Sequence, residues 1–174
     1  QPGALRARVS EDRYFRERAR IEQGHLKYRD KLKEEGKLFV RDRLALLLDP
    51  GTEFQEDFLF ARNQEPDTPA DGVVTGVGRV GGRPVCIMAN DYTVKAGSWG
   101  EKTVQKIVRI QERAQRLQIP LVYMVDAAGG RRLAVALRTH FGGRTRRTVA
   151  AGGVLPLGAA LVRQLDWVLF ATAG

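Results

Sequence analysis

The sequence has few of the side chains on which most enzymes rely for catalysis. It contains one cysteine, Cys86, and two histidines, His25 and His140, in 174 residues. A single thiol forms no internal disulfide, which is compatible with a reducing compartment. No metal-ligand cluster and no nucleophile–histidine–acid arrangement is present in the sequence. We therefore expect no metal site, a buried inert thiol at Cys86 and a solvated imidazole at His25.

Long apolar runs are also missing. None approaches the ~20 residues of a membrane span, so we expect no membrane partner. No zinc or helix-turn-helix signature occurs, and basic residues do not alternate with aromatics, so we expect no nucleic acid. The net charge of the chain is +9. Residues 131–174 hold seven Arg and one Asp, so this segment contributes a net charge of 7 − 1 = +6. The chain starts at Gln1 without Met or an apolar signal segment, which predicts a fragment or processed chain of cytoplasmic type.

The first half of the sequence predicts helices followed by a hairpin. Residues 11–35 are dense in charge and predict one long surface helix that ends at Gly36. Residues 38–48 predict a short helix with Leu44, Leu47 and Leu48 on one face. Residues 52–60 alternate only partly and indicate a strand. Residues 73–80 and 83–89 predict a β-hairpin that turns at the Gly pair 81–82.

The clearest helix is predicted over residues 101–118. Its apolar face is expected to pack on a sheet, and the residues of that face are Val104, Ile107, Val108, Ala114 and Leu117. The opposite face carries Lys and Arg and is expected to point outward, with Lys106 among them. The order of strands and helices indicates an α/β layered domain.

After this helix comes the stretch on which the functional hypothesis depends. Residues 121–125 are almost entirely apolar and predict a buried strand that stops at Asp126. Two Ala, two Gly and Arg131 follow. A turn without bulky side chains leaves backbone N–H groups available to stabilise negative charge on an oxygen, such as that of a thioester enolate.

Three segments in the same order resemble one family, and together they are far more specific than a single motif. They are residues 36–51 (GKLFVRDRLALLLDPG), 71–85 (DGVVTGVGRVGGRPV) and 90–98 (NDYTVKAGS). Residues 11–131 are thereby similar to the carboxyltransferase (beta) subunit of biotin-dependent acyl-CoA carboxylases, which act on acetyl-, propionyl- or methylcrotonyl-CoA.

The resemblance implies a crotonase-like (ClpP/crotonase) fold of ββα units wound into a superhelix. It implies an enzyme that transfers the carboxyl group of carboxybiotin to an acyl-CoA. The biotin is carried by a partner biotin carboxylase or biotin carrier subunit, and the intact family forms homo-oligomers. The identity of the acyl-CoA is not readable from the sequence.

The resemblance also implies the site residues. The family's active-site turn corresponds to residues 126–131, so the backbone amides of Ala128, Gly129 and Gly130 are the expected catalytic groups. Ala127 stands where the family usually has Ser. Ala96, Gly97, Ser98 and Arg131 are the expected acyl-CoA contacts, and Lys95 and Lys102 are basic neighbours that favour a phosphate.

The resemblance ends after Arg131. We expect three regions: an N-terminal charged helix (1–35), the core of a CoA carboxyltransferase N-terminal domain (36–131), and a divergent tail (132–174) that is frame-shifted or truncated. Turnover by this chain alone is therefore not expected. Two alternatives stay open: the carboxyltransferase subunit of a biotin-dependent decarboxylase, and a non-catalytic CoA-binding remnant.

Overall fold

The structure is a computed structural model that describes residues 2–126 and 167–171, with only the backbone for 2–9 and 167–171. These residues form four α-helices: α1 (Pro2–Glu22), α2 (Leu26–Glu34), α3 (Val40–Leu47) and α4 (Glu101–Leu117). They also form five strands: β1 (Gln55–Asp57), β2 (Val73–Val80), β3 (Arg83–Asn90), β4 (Leu121–Val125) and β5 (Trp167–Ala171). No helix within the described part is long and apolar enough to cross a bilayer.

The strands form one mixed sheet in the order β1-β2-β3-β4-β5. Only the central pair, β3 with β4, is parallel, and α4 is the crossover that joins these two strands. The other three neighbouring pairs are antiparallel. The architecture is therefore α/β, as predicted from the sequence.

The sheet is covered on both faces, and the alternation of side chains along β3 shows how. Val85, Ile87 and Ala89 pack on the face covered by α2 and α3, whereas Cys86 and Met88 pack on the face covered by α4. All five residues of β4 are buried because that strand contributes to both clusters. An uninterrupted apolar run is what such a strand requires.

The predicted hairpin is confirmed, with register from Val73↔Asn90 to Val80↔Arg83. Gly81 and Gly82 have φ of +59° and +75°, the left-handed backbone that a tight hairpin turn needs. The structure adds a contact that the sequence did not indicate: both amides donate to the carboxylate of Asp49, each at 2.7 Å. Asp49 follows α3, so this contact ties the hairpin turn to the end of that helix.

We expect Asp49→Ala to lower the free energy of unfolding by about 1–2 kcal/mol, because two charge-assisted hydrogen bonds are lost. Chemical denaturation of the purified chain measures this. Asp30→Ala is the matched control, since Asp30 is 82% exposed and lies 3.7 Å from Lys33 in an exposed ion pair. Equal stabilities of the two variants would contradict a stabilising role for Asp49.

The prediction of one helix over residues 11–35 is wrong. The chain forms α1 and α2 with a break at Gly24, which has a φ of +67°. A Cβ at this position would lie 2.6 Å from the ring of Phe39. Tertiary packing therefore selects glycine here, and α2 turns back against the sheet. The short helix and the first strand exist as predicted but are shorter, as α3 and β1.

The bounds of α4 are confirmed, but its predicted buried face is only partly correct. Val104, Val108 and Leu117 are 38–48% exposed. The buried residues are Thr103, Lys106, Ile107, Ile110 and Ala114. The helix is rotated because its polar side chains have buried partners. Thr103 Oγ1 donates to the Asp71 carboxylate at 2.8 Å, and Lys106 Nζ donates to the Ala70 carbonyl at 2.9 Å.

Candidate acyl-CoA site at the sheet edge

Three chain segments meet at one edge of the sheet. Because β3 and β4 are parallel, with Ala89 opposite Met124, both strands end at this edge. β2 is antiparallel to β3 and begins there, with Val73 opposite Asn90. The chain therefore leaves β3 at Asn90 and β4 at Asp126 side by side.

Two left-handed turns border this edge, residues 70–72 and 95–97. In each turn, two non-glycine residues and one glycine have φ between +49° and +72°. Such a backbone costs a non-glycine residue roughly 1–2 kcal/mol, and the conformation persists only where surrounding contacts enforce it. The first turn packs closely against the residue that precedes the second, since a Cβ on Gly72 would lie 3.0 Å from Val94. The expected acyl-CoA contacts Ala96 and Gly97 thus lie in a strained turn.

Ala96 lines a pocket of about 610 Å³, which we call the basic pocket. Its volume is in the range of small-molecule sites. Three lysines and one histidine line it against a single acid, and two tyrosines add aromatic surface. The complete lining is His25, Lys27, Tyr28, Lys31, Leu32, Asp67, Tyr92, Thr93, Lys95 and Ala96.

The lining of the basic pocket corrects the expectation that His25 is solvated. His25 was expected to lie on an exposed helix, but it directly precedes α2, and α2 forms one wall of the pocket. The imidazole of His25 is only 23% exposed, with Nε2 3.5 Å from Asp67 and the ring 4.8 Å from that of Tyr28. Its backbone N–H donates to Thr93, whose hydroxyl donates to the buried Asp91 at 2.6 Å. Burial raises the pKa of Asp91.

Ser98 lies on the other side of the turn and lines a second pocket of about 490 Å³, which Lys95 shares. Arg62 and Lys95 face three acids there, Glu65, Asp67 and Asp71. Its balance of charge suits an anionic ligand less well than that of the basic pocket. Lys102 lines neither of these pockets and donates to Gln105 at 3.0 Å.

Asp126 is held at the edge by two cations. It is 3% exposed, with Lys37 Nζ 3.4 Å from Oδ1 and Arg43 Nη1 3.3 Å from Oδ2. Lys37 also lies 4.3 Å from the ring centroid of Tyr92, which is a wall of the basic pocket. The basic pocket is thereby connected through Tyr92 and Lys37 to the residue at which the predicted active-site turn begins.

Asn90 is a second buried polar residue at this edge. Its side chain is fully buried, and within the described part neither Oδ1 nor Nδ2 has a hydrogen-bond partner. Its backbone carbonyl accepts a hydrogen bond from Arg43 at 2.8 Å. A buried amide without partners costs stability, and such groups concentrate where function requires them.

The remaining predicted site residues cannot be located at this edge. Ala128, Gly129, Gly130 and Arg131 lie outside the described residues, as does His140. Among the residues that are described, no group of three potential metal ligands occurs. Cys86 is buried, and burial raises its pKa to about 11, so the thiol is inert as expected.

Comparison with known proteins confirms the family, but the match runs beyond Arg131, where the resemblance was expected to end. Residues 31–162 match the model of the carboxyl transferase domain family. The chain is 58% identical over 108 residues to the uncharacterized carboxylase YngE of Bacillus subtilis (strain 168), a match that covers 62% of this chain and 21% of that protein. It is 44% identical over 96 residues to the biotin-dependent 3-methylcrotonyl-coenzyme A carboxylase beta1 subunit of Mycobacterium tuberculosis. This match covers 54% of this chain and 18% of that protein.

Among solved structures, the chain is similar to transcarboxylase 12S, a hexamer crystallised with hydrolysed methylmalonyl-coenzyme A. The TM-score is 0.64 at 32% identity, over 75% of this chain and 28% of that one. The chain belongs to the carboxyl transferase domain family. Its α/β sheet is part of the crotonase-like fold of carboxyltransferase subunits, which confirms the predicted fold class. The chain spans about a fifth of the length of the curated relatives that it matches.

Proposed function

We propose that this chain provides the acyl-CoA side of a carboxyltransferase site, in which a carboxyl group passes from carboxybiotin to an acyl-CoA. The observation that carries the proposal is the basic pocket beside the strained turn of residues 95–97. Membership of the carboxyl transferase domain family supports the reaction class. Residues 36–131 are then the core of the N-terminal carboxyltransferase domain.

The charge of the basic pocket suits the nucleotide end of coenzyme A. This end carries a diphosphate and a 3′-phosphate, and Lys27, Lys31 and Lys95 place three ammonium groups on the lining. Ammonium groups bind phosphate as point charges, and aromatic rings stack on nucleobases. Tyr28 and Tyr92 present such rings in the same pocket. The pocket therefore combines the groups that a phosphorylated adenine ligand requires.

The acyl end would then lie at the edge where β3 and β4 terminate. We propose that Ala96, Gly97 and Ser98 contact the acyl-CoA beside the basic pocket, and that the amides of Ala128, Gly129 and Gly130 stabilise the enolate oxygen of the thioester. Preorganised amides of this kind contribute about 10²–10³ in rate for each donor. Arg131 is proposed as a further contact to the acyl-CoA.

Carboxybiotin, carried by a biotin carboxylase or biotin carrier partner, supplies the carboxyl group in this proposal. The described residues offer a cationic pocket that fits a phosphorylated ligand, and we assign them to the CoA side only. The relatives support a biotin-dependent assembly, since one is named a biotin-dependent beta1 subunit and another is a hexamer. We therefore also propose that the working enzyme is a homo-oligomer.

Binding of acyl-CoA by the purified chain tests the proposal, and the assay needs no turnover. Calorimetric titration with propionyl-CoA is expected to show one site whose affinity falls as salt rises, because phosphates and lysines attract each other through screened charge. Lys31→Glu and Lys95→Glu should each weaken binding at least ~10-fold, which corresponds to about 1.4 kcal/mol.

Lys33→Glu is the matched control. It makes the same change of charge on the same helix, but Lys33 is 76% exposed and does not line the basic pocket. Its affinity for propionyl-CoA should stay within about twofold of the unsubstituted chain. Equal affinities of the Lys31 and Lys33 variants would refute the basic pocket as the acyl-CoA site.

A further inference from the structure

Arg43 is the most deeply buried of the charged residues described at the site edge, although the sequence marked it only as part of segment 36–51. It lies in α3 and is 1% exposed. Its Nη2 donates to the backbone carbonyl of Asn90 at 2.8 Å, and its Nη1 lies 3.3 Å from the carboxylate of Asp126. One guanidinium thus contacts the last residue of β3 and the first residue after β4.

These two contacts begin where the strand pairing stops. The parallel ladder between β3 and β4 runs from Cys86↔Leu121 to Ala89↔Met124. Beyond it, the two strands lead into separate segments: residues 91–98 after β3, and the predicted active-site turn after Asp126. The contacts of Arg43 with Asn90 and Asp126 therefore lie at the point where these two segments separate.

We propose that Arg43 is a positioning residue of the acyl-CoA site, which holds the ends of β3 and β4 at a fixed separation. The expected effect of Arg43 on acyl-CoA affinity rests on the proposed function. A guanidinium suits this task because its donors lie in a rigid plane and reach two acceptors at once. A lysine keeps the charge but offers a single ammonium on a flexible stem. Charge alone is thus insufficient, and the shape of the guanidinium is required.

Arg41 offers a matched control on the same helix. Its guanidinium also makes two contacts, to the two carboxylate oxygens of Glu56 at 2.7 and 3.1 Å, and its side chain is 20% exposed. Glu56 lies in β1, which is an outer strand of the sheet with two strands between it and β4. Arg41→Lys therefore makes the same chemical change to a paired arginine that does not join the ends of β3 and β4.

The experiment compares amide hydrogen exchange and propionyl-CoA affinity in Arg43→Lys and Arg41→Lys, at a temperature well below both melting points. In Arg43→Lys, exchange is expected to accelerate at least ~10-fold in peptides that cover residues 91–98. Peptides from β2 should keep the protection of the unsubstituted chain. Affinity should fall at least ~10-fold. Arg41→Lys should change neither quantity at the site edge.

Uniform acceleration across the sheet in Arg43→Lys, or unchanged affinity, would overturn the inference and leave Arg43 a purely structural residue. If Arg43→Lys does not fold, Asp126→Asn is compared with Lys37→Met, since both remove the ion pair between Lys37 and Asp126 and only Asp126→Asn also weakens the contact with Arg43. The local exchange pattern is expected in Asp126→Asn alone, and the same pattern in both variants would overturn the inference. Absence of binding by the unsubstituted chain would refute the proposed function instead, and the exchange pattern would still decide whether Arg43 positions the two segments.

Discussion

Ile107→Asp is expected to unfold the domain, with a loss of about 4 kcal/mol or more in the free energy of unfolding. Ile107 is 3% exposed and belongs to the cluster formed by α4 and one face of the sheet, which includes Met88 and Tyr123. An aspartate there would place a carboxylate among buried apolar side chains. Small domains are stable by only about 5–15 kcal/mol, so this one change removes much of the total.

The control for Ile107→Asp is Val104→Asp, one turn earlier on α4. Val104 is 45% exposed, and a charge there should change stability by no more than about 0.5 kcal/mol. Thermal and urea denaturation of both variants measure the difference. The apolar pattern of the sequence assigned Val104 and Ile107 to the same buried face. Similar losses in the two variants would favour that assignment and contradict the rotation of α4 observed in the structure.

Raising the pH from about 8 to 10 is expected to stabilise the chain relative to its Lys106→Met variant, by up to about 3 kcal/mol. Lys106 is 3% exposed, and burial lowers its pKa to about 8. Its ammonium donates to the carbonyls of Ala70 and Val73. Further charges act on it from the elements packed around it, and these belong to Arg41, Glu56, Asp57 and Asp71.

The direction follows from the protons that each state binds. Below pH 8, Lys106 is protonated in both the folded and the unfolded chain, so its contribution does not vary with pH. Between pH 8 and the ordinary lysine pKa of about 10.4, the unfolded chain keeps a proton that the folded chain has released. The free energy of unfolding then rises with pH, because the unfolded state binds more protons. Above about 10.4 the gain is complete.

Melting temperatures of the unsubstituted chain and of Lys106→Met, measured from pH 7 to 10, test this prediction. The other lysines and tyrosines titrate in both proteins, so their effects cancel in the difference. The difference should be flat below pH 8 and should then grow in favour of the unsubstituted chain. A difference that stays flat across the whole range would show that burial does not depress the pKa of Lys106 in the folded protein.

Local patterns in the sequence account for the elements whose neighbours lie close in the chain. Gly81 and Gly82 between two β-rich runs predicted the hairpin because the turn and both strands are contiguous. The apolar run of residues 121–125 predicted a buried strand for a similar reason. Three ordered motifs indicated the family, and the family model that matches residues 31–162 confirms it.

What the sequence by itself determined is thus the hairpin, the bounds of α4, the buried strand β4, the fold class and the family. Only the tertiary structure decided which face of α4 is buried, where the N-terminal helix breaks and which residues surround Asp126. A pattern of apolar and polar residues places Lys106 on an exposed face. It is buried because two carbonyls distant in the sequence accept hydrogen bonds from its ammonium group. Arg43 contacts Asn90 and Asp126 from 47 and 83 residues away along the chain. Such partners are specified by the packing of separate elements, and periodicity within one element contains no information about them.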